Sequence, residues 1–156
     1  MKTKFNEFVN ENKKLGNVFR DYKKFKPDYL SEKTYSFLIN WTYNQKFLNY
    51  YKTNGVDSID DDIVNELSKW KPKKTTYVYR INCNPKENSK FKNKLLSFSP
   101  TLESAVMLFQ DSMCRENNGI IKSLKVEPKN ILVDNTLFPN RYETELLDEV
   151  IVITDN

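Results

Sequence analysis

Three short stretches of the chain carry residue types from which chemistry could be built. Tyr77-Val78-Tyr79-Arg80-Ile81 sets one arginine in an otherwise aromatic and β-branched run. In an extended strand Arg80 shares a face with Val78, and its planar fork of donors suits phosphate oxygens. Ser97-Phe98-Ser99-Pro100-Thr101 supplies hydroxyls at a strand end, where they can orient a neighbouring carboxylate or a ligand amide. Glu143-Thr144-Glu145-Leu146-Leu147-Asp148-Glu149-Val150-Ile151-Val152-Ile153 reads as a strand with Glu143, Glu145 and Glu149 on one face. Such a row could line a cleft and aim at a sugar hydroxyl or a cationic substrate. Each stretch alone also has an ordinary role: an edge-strand ion pair for Arg80, a helix cap for Ser99, a hydrated acidic edge for the glutamates.

Composition removes whole chemistries. The 156 residues include no histidine, which excludes Ser-His-Asp and Cys-His nucleophile systems and ordinary catalytic zinc sites. The two cysteines, Cys83 and Cys114, lie far apart and form no CxxC, against a structural zinc or a disulfide framework. Three glycines allow neither GxGxxG nor GxxxxGK[ST]. Carboxylates, hydroxyls, Arg, Lys and Tyr must do the work. The net charge of +4 is mild and the signs are interspersed, so contact with nucleic acid is permitted but not demanded. Only four of the 25 basic residues are arginines (Arg20, Arg80, Arg115, Arg141), which makes an arginine inside an apolar strand stand out.

The elements that must hold these residues follow from periodicity. Phe5, Phe8, Val9, Leu15, Val18, Phe19 and Tyr22 recur at helical steps; after Pro27 a helix opens at Ser31 and closes near Gly55. Acidic residues from Asp57 to Asp62 open a short helix that carries Ile63, Leu67 and Trp70, and KPKK ends the helical pattern. From Thr75 the period becomes β: TTYVYRINC, KLLSFS, GIIKSLKVE, NILVDN and LLDEVIVI, with a helix from Pro100 to Met113 that has Pro in its first turn. Helices first and strands after is an α+β order, read as one domain with a helical N-terminal half (1–72) and a β-rich half (73–156). No apolar run approaches the roughly 20 residues of a membrane span, and the N-terminus lacks the apolar core of a secretory signal, which together point to the cytoplasm.

In this order, an aromatic-Arg strand, a Ser-x-Ser strand end leading into a helix with Ala105 and Phe109, and a Glu opening a hydrophobic C-terminal strand resemble the Arg-Ser-Glu class of mono-ADP-ribosyltransferases. That family includes clostridial toxin-type enzymes and small phage enzymes that modify host proteins. The Trp41-Thr42 helix carrying Phe47 and Asn49, and the second helix IDDDIVNELSKW, look like the family's helical lobe. The resemblance covers roughly residues 35 to 153. It implies an ADP-ribosyltransferase-like fold, in which the helical N-terminal lobe packs on a core of two small, mainly antiparallel β-sheets, with NAD bound between the sheets as sole cofactor and no metal. It also implies transfer of ADP-ribose to a macromolecular acceptor with release of nicotinamide, in the host-cell cytoplasm if the chain is phage-encoded. The acceptor would be a host protein in the first instance and nucleic acid in the second.

Carried over residue by residue, Arg80 would hold the diphosphate or nicotinamide-ribose side of NAD. Ser97 would brace the catalytic glutamate, with Phe98 in place of the family's central Thr; Ile81, Phe98 and Ser99 complete the expected NAD contacts. The glutamate would bond the ribose 2′-hydroxyl and stabilise the oxocarbenium-like transition state. Two frames stay open. Glu149 has the better hydrophobic strand behind it, whereas Glu143-x-Glu145 keeps the family's Glu-x-Glu pair, which goes with arginine as acceptor. The reading leans to Glu149. The preceding loop makes Phe138, Arg141, Tyr142 and Glu143 candidate acceptor contacts, or else an ordinary turn around Pro139-Asn140. The rival readings are a small basic binding or inhibitor protein without catalysis, and a degenerate transferase that binds NAD without turnover.

Overall fold

The computed structural model describes residues 25–82, 93–111 and 119–154. The expected N-terminal helical stripe (Phe5 to Tyr22) and both cysteines lie outside the described residues. Helix α1 spans Glu32–Tyr43 and α2 spans Gln45–Asn54. Ser31 caps α1, its hydroxyl accepting from the Thr34 amide at 3.2 Å. Glu66 reinforces that cap: its carboxylate accepts from the Ser31 amide at 2.6 Å, from the Ser31 hydroxyl at 2.7 Å and from the Thr34 hydroxyl.

The single helix expected between Ser31 and Gly55 is two. Asn44 adopts an extended backbone, its amide closing α1 on Asn40 O while its side chain accepts from the Phe47 amide at 3.2 Å to start α2. An Asn that competes with the backbone in this way breaks a helix without any Pro or Gly. Gly55 ends α2 at φ 80°, a left-handed value that favours glycine; a Cβ there would stand 3.0 Å from the Lys94 side chain. Helix α3 (Asp61–Leu67) follows, with Asp61 and Asp62 in its first turn and Lys33 bridging Asp60 at 2.7 Å and Asp62 at 3.0 Å.

Five strands form two antiparallel sheets. β1 (Thr76–Asn82) pairs with β3 (Ile120–Val126), and β2 (Leu95–Phe98), β5 (Val150–Ile153) and β4 (Ile131–Asp134) make a three-stranded sheet with β5 central. Helix α4 (Leu102–Asp111) follows β2. Its cap is Thr101, which accepts from the Ser104 amide at 3.1 Å, so Pro100 precedes the helix and Ser99 is not its cap. Strand β5 is shorter than expected: Arg141–Glu143 is a 3-10 turn, and the backbone becomes a strand only at Val150. Glu143, Glu145 and Glu149 therefore do not form one strand face.

The three-stranded sheet is buried on both faces, which explains why VIVI shows no polar alternation. Leu95, Val133 and Ile151 turn toward the helices, in one core with Tyr35, Phe37, Leu38, Trp41, Phe47, Tyr51, Ile63 and Leu67. Leu96, Phe98, Val150 and Val152 turn the other way and meet Val78 and Val126 of the two-stranded sheet. Each such buried side chain contributes about 1.5–3 kcal/mol. Helix α1 is buried all round from Thr34 to Trp41, as a helix wedged between layers must be. Its buried Asn40 is satisfied within the helix, donating to Ser36 O at 2.8 Å. The fold is thus α+β, with four helices and two small antiparallel sheets among the described residues.

Candidate functional site

Strand parity brings the site together. Ser97 lies opposite Ile151 in the β2–β5 ladder, and both side chains face the helices; Glu149, two residues before Ile151, emerges on that same side. The end of α1 covers this spot. The indole N–H of Trp41 donates to the Ser97 hydroxyl at 2.7 Å, and the Thr42 hydroxyl lies 3.5 Å from a carboxylate oxygen of Glu149. The Thr42 proton is committed to Leu38 O at 3.0 Å, so that contact is weak. Ser97, having accepted from Trp41, keeps its own proton for Glu149.

Burial pushes the Glu149 carboxyl above the usual carboxylate range, against the opposing pull of hydrogen bonds from Ser97, Thr42 and Trp41. The backbone that carries Glu149 is pinned by Asn135. The Asn135 amide donates to Glu149 O at 3.0 Å, and its side chain donates to Leu147 O at 3.2 Å.

On the other side of Ser97, β1 and β2 touch through one isolated bridge. Tyr79 N donates to Ser99 O at 2.9 Å, and Ser99 N donates to Tyr79 O at 2.7 Å. Backbone groups two residues apart on a strand point the same way, so Ser97 O faces the same edge, where the ladder has stopped. The Arg80 side chain takes up that carbonyl, donating at 2.5 Å, with its guanidinium carbon 5.8 Å from the Phe98 ring centre. One of five guanidinium donors is spent there.

The surroundings of Arg80 are cationic. Lys122 is its direct cross-strand partner in the β1–β3 ladder, and Lys52 of α2 is close enough to feel its charge. Burial, and secondarily Arg80, hold the Lys52 ammonium below its usual range; burial alone lowers that of Arg80. Among the described residues no carboxylate lies within 4.0 Å of the charged nitrogens of Arg80, Lys122 or Lys52. Three cations with no anionic partner among the described residues can hold an anion. Also among the described residues, no group of three acidic, Cys or His side chains is placed to hold a metal ion, and no helix is long and apolar enough to cross a membrane.

The remaining sequence-picked residues divide. Glu145 stands at the rim, exposed, with its carbonyl accepting from the Tyr43 hydroxyl at 2.8 Å and its amide 3.3 Å from the Tyr35 hydroxyl. Its carboxylate and that of Glu149 both act on Tyr43, whose hydroxyl is held above its ordinary range by burial first and these two charges second. Ile81 pairs with Ile121 and points away from the face of Arg80. Ser99 contributes its backbone bridge to Tyr79, and Phe98 fills the core between the sheets.

Phe138, expected among the acceptor contacts, is 2% exposed and packs on Trp70 (5.3 Å between ring centres) and Tyr29 (5.8 Å); it is a core residue that no acceptor reaches. Arg141 donates to Asp148 at 2.7 Å and lies 4.4 Å over the ring of Tyr142, which is 82% exposed; Glu143 is exposed beside them. Lys122 and Asn135 escaped the sequence reading. Strand parity marks Lys122 once its partner strand is known, but nothing local marks Asn135. Comparison with protein-family models, with curated proteins and with solved structures finds no match to this chain.

Proposed function

We propose that the chain is an NAD-dependent mono-ADP-ribosyltransferase with an ADP-ribosyltransferase-like fold, acting on a macromolecular acceptor. The observation that carries this reading is the convergence of Arg80, Ser97 and Glu149, three residues from separate segments, around a single strand position. The donor set fits the substrate: a cation cluster that no described carboxylate neutralises suits a diphosphate, and a braced carboxylate suits a sugar hydroxyl beside a carbon that becomes positive.

NAD supplies a glycosidic bond between the ribose C1′ and a cationic nicotinamide, which leaves neutral with the bonding electrons. The chain's own work is then electrostatic. Arg80, with Lys122 and Lys52 behind it, anchors the anionic end. Glu149 in ionised form faces the positive charge that builds at the sugar carbon, and the relay from Trp41 through Ser97 keeps its carboxylate in one orientation. The acceptor nucleophile forms the new bond to C1′ as the bond to nicotinamide breaks, and its proton passes to water. Of the two glutamate frames, the contact of Glu149 with Ser97 favours Glu149, and Glu145 at the rim is the residue better placed to meet an acceptor.

The test uses NAD labelled in its adenylate part, the full chain and a cell lysate, beside Arg80→Ala, Glu149→Gln and Glu145→Gln. Transferred label or released nicotinamide is expected from the wild type. The Arg80 and Glu149 variants should lose at least 10²–10³-fold, on the scale of removing one electrostatic stabiliser. A folded wild type that neither transfers label nor releases nicotinamide at saturating NAD overturns the reading in favour of a non-catalytic binding protein.

A further inference from the structure

The face of the β1–β3 sheet turned away from Val78 carries a second feature. Tyr77 lies directly opposite Lys125 in the ladder, so the two side chains stand together on that face, and Tyr77 is 54% exposed. A shallow open concavity beside them is lined by Lys73, Lys74, Thr75, Lys125, Glu127 and Lys129. Four lysines thus meet one carboxylate, and that carboxylate is engaged by Lys129 at 3.4 Å. The lysines come from two separate places, the KPKK connection before β1 and the end of β3 with the turn after it, so the cationic field is assembled by the fold. An exposed aromatic on a sheet face beside a cationic trough is the combination that binds a single strand, since any base can stack on the ring while phosphates track the ammonium groups.

We infer that this face binds single-stranded nucleic acid, independently of the NAD reaction and on a different face of β1 from Arg80. An acidic protein would satisfy the lysines equally but would leave the exposed ring without a planar partner.

The experiment is fluorescence anisotropy of a labelled 12-nucleotide oligothymidylate with the full chain, without NAD, between 50 and 200 mM salt. With all four lysines on phosphates, log affinity should fall against log salt with a slope of about −2.8, at about 0.7 per contact. Lys73→Ala with Lys74→Ala should halve that slope. Tyr77→Ala should weaken binding roughly tenfold at unchanged slope, and Tyr77→Phe should bind like wild type. All of these residues are exposed, and circular dichroism verifies that each variant is folded. Absence of binding at 50 mM salt overturns the inference. So does an affinity untouched by these substitutions, or equal competition by polyglutamate, which would mark an acidic protein as the partner. A chain that binds the oligonucleotide but never consumes NAD would keep this inference and discard the transferase.

Discussion

Arg80 stands directly across the β1–β3 ladder from Lys122, two like charges at a position where opposite charges or apolar groups are the stable choice. No described carboxylate neutralises either one. The repulsion, a few tenths to 1 kcal/mol in such pairs, is removed when an anion sits between them. Ligand-binding sites routinely sacrifice stability in this way.

Lys122→Gln should therefore stabilise the ligand-free protein slightly while weakening anion binding. Thermal unfolding with and without inorganic pyrophosphate reads both effects. Pyrophosphate should raise the wild-type Tm, and the rise should shrink in Lys122→Gln and vanish in Arg80→Ala.

Glu149 and Glu66 should respond to pH in opposite senses. For Glu149 the folded carboxyl holds its proton to higher pH than the unfolded one. Between the two values the folded state binds more protons, so stability falls as pH rises through that window and stays lower above it. Glu149→Gln, which carries no charge to desolvate, should raise Tm at pH 8 and lose that advantage at pH 4. Equal Tm for wild type and variant at pH 8 would contradict the buried-charge argument.

For Glu66, desolvation works to raise the carboxyl, but hydrogen bonds from Thr34 and Ser31 outweigh it and hold the group low. The unfolded state then binds more protons as acid is added, so this contribution is present above the unfolded value and lost as pH falls through the folded one. Glu66→Gln should destabilise at pH 7 by about 1–2 kcal/mol, as expected for weakening a charged helix cap. The difference from wild type should narrow below pH 4 in denaturant titrations.

The relay to Glu149 predicts an asymmetry between two conservative substitutions. Ser97→Ala leaves the indole N–H of the buried Trp41 without its acceptor and should cost about 1–3 kcal/mol. The transferase activity proposed above should fall with it, chiefly in kcat, because the carboxylate loses its brace. Ser97→Thr keeps the hydroxyl and should recover most of the activity even if its extra methyl lowers Tm. Loss of kcat that merely tracks Tm across both variants would assign Ser97 a structural role alone.

Much of the architecture was legible in the chain. Ser31 as a cap, Gly55 as a stop, the change of period at Thr75 and the continuous apolar run of VIVI are local signals, readable because capping, left-handed backbone and side-chain alternation act within a few residues. The same locality explains the misreadings. Asn44 splits a helix by bonding its own neighbours, and Glu143 to Glu149 leaves the strand pattern because Asn135, from the end of β4, pins that segment in place. Phe138 reads as an acceptor contact in the sequence, but Trp70 and Tyr29, far from it along the chain, enclose its ring.

The sequence by itself determined the α+β order, the absence of any histidine-based chemistry, and the three segments that hold Arg80, Ser97 and the glutamates. Only the tertiary structure decided which glutamate meets Ser97, that Trp41 braces it, and that Lys122 and Lys52 crowd Arg80. Those are relations between residues tens of positions apart, set by strand register and by where the β1–β2 bridge ends. No period in the sequence encodes them, because the chain's local preferences specify the elements while packing specifies the neighbours.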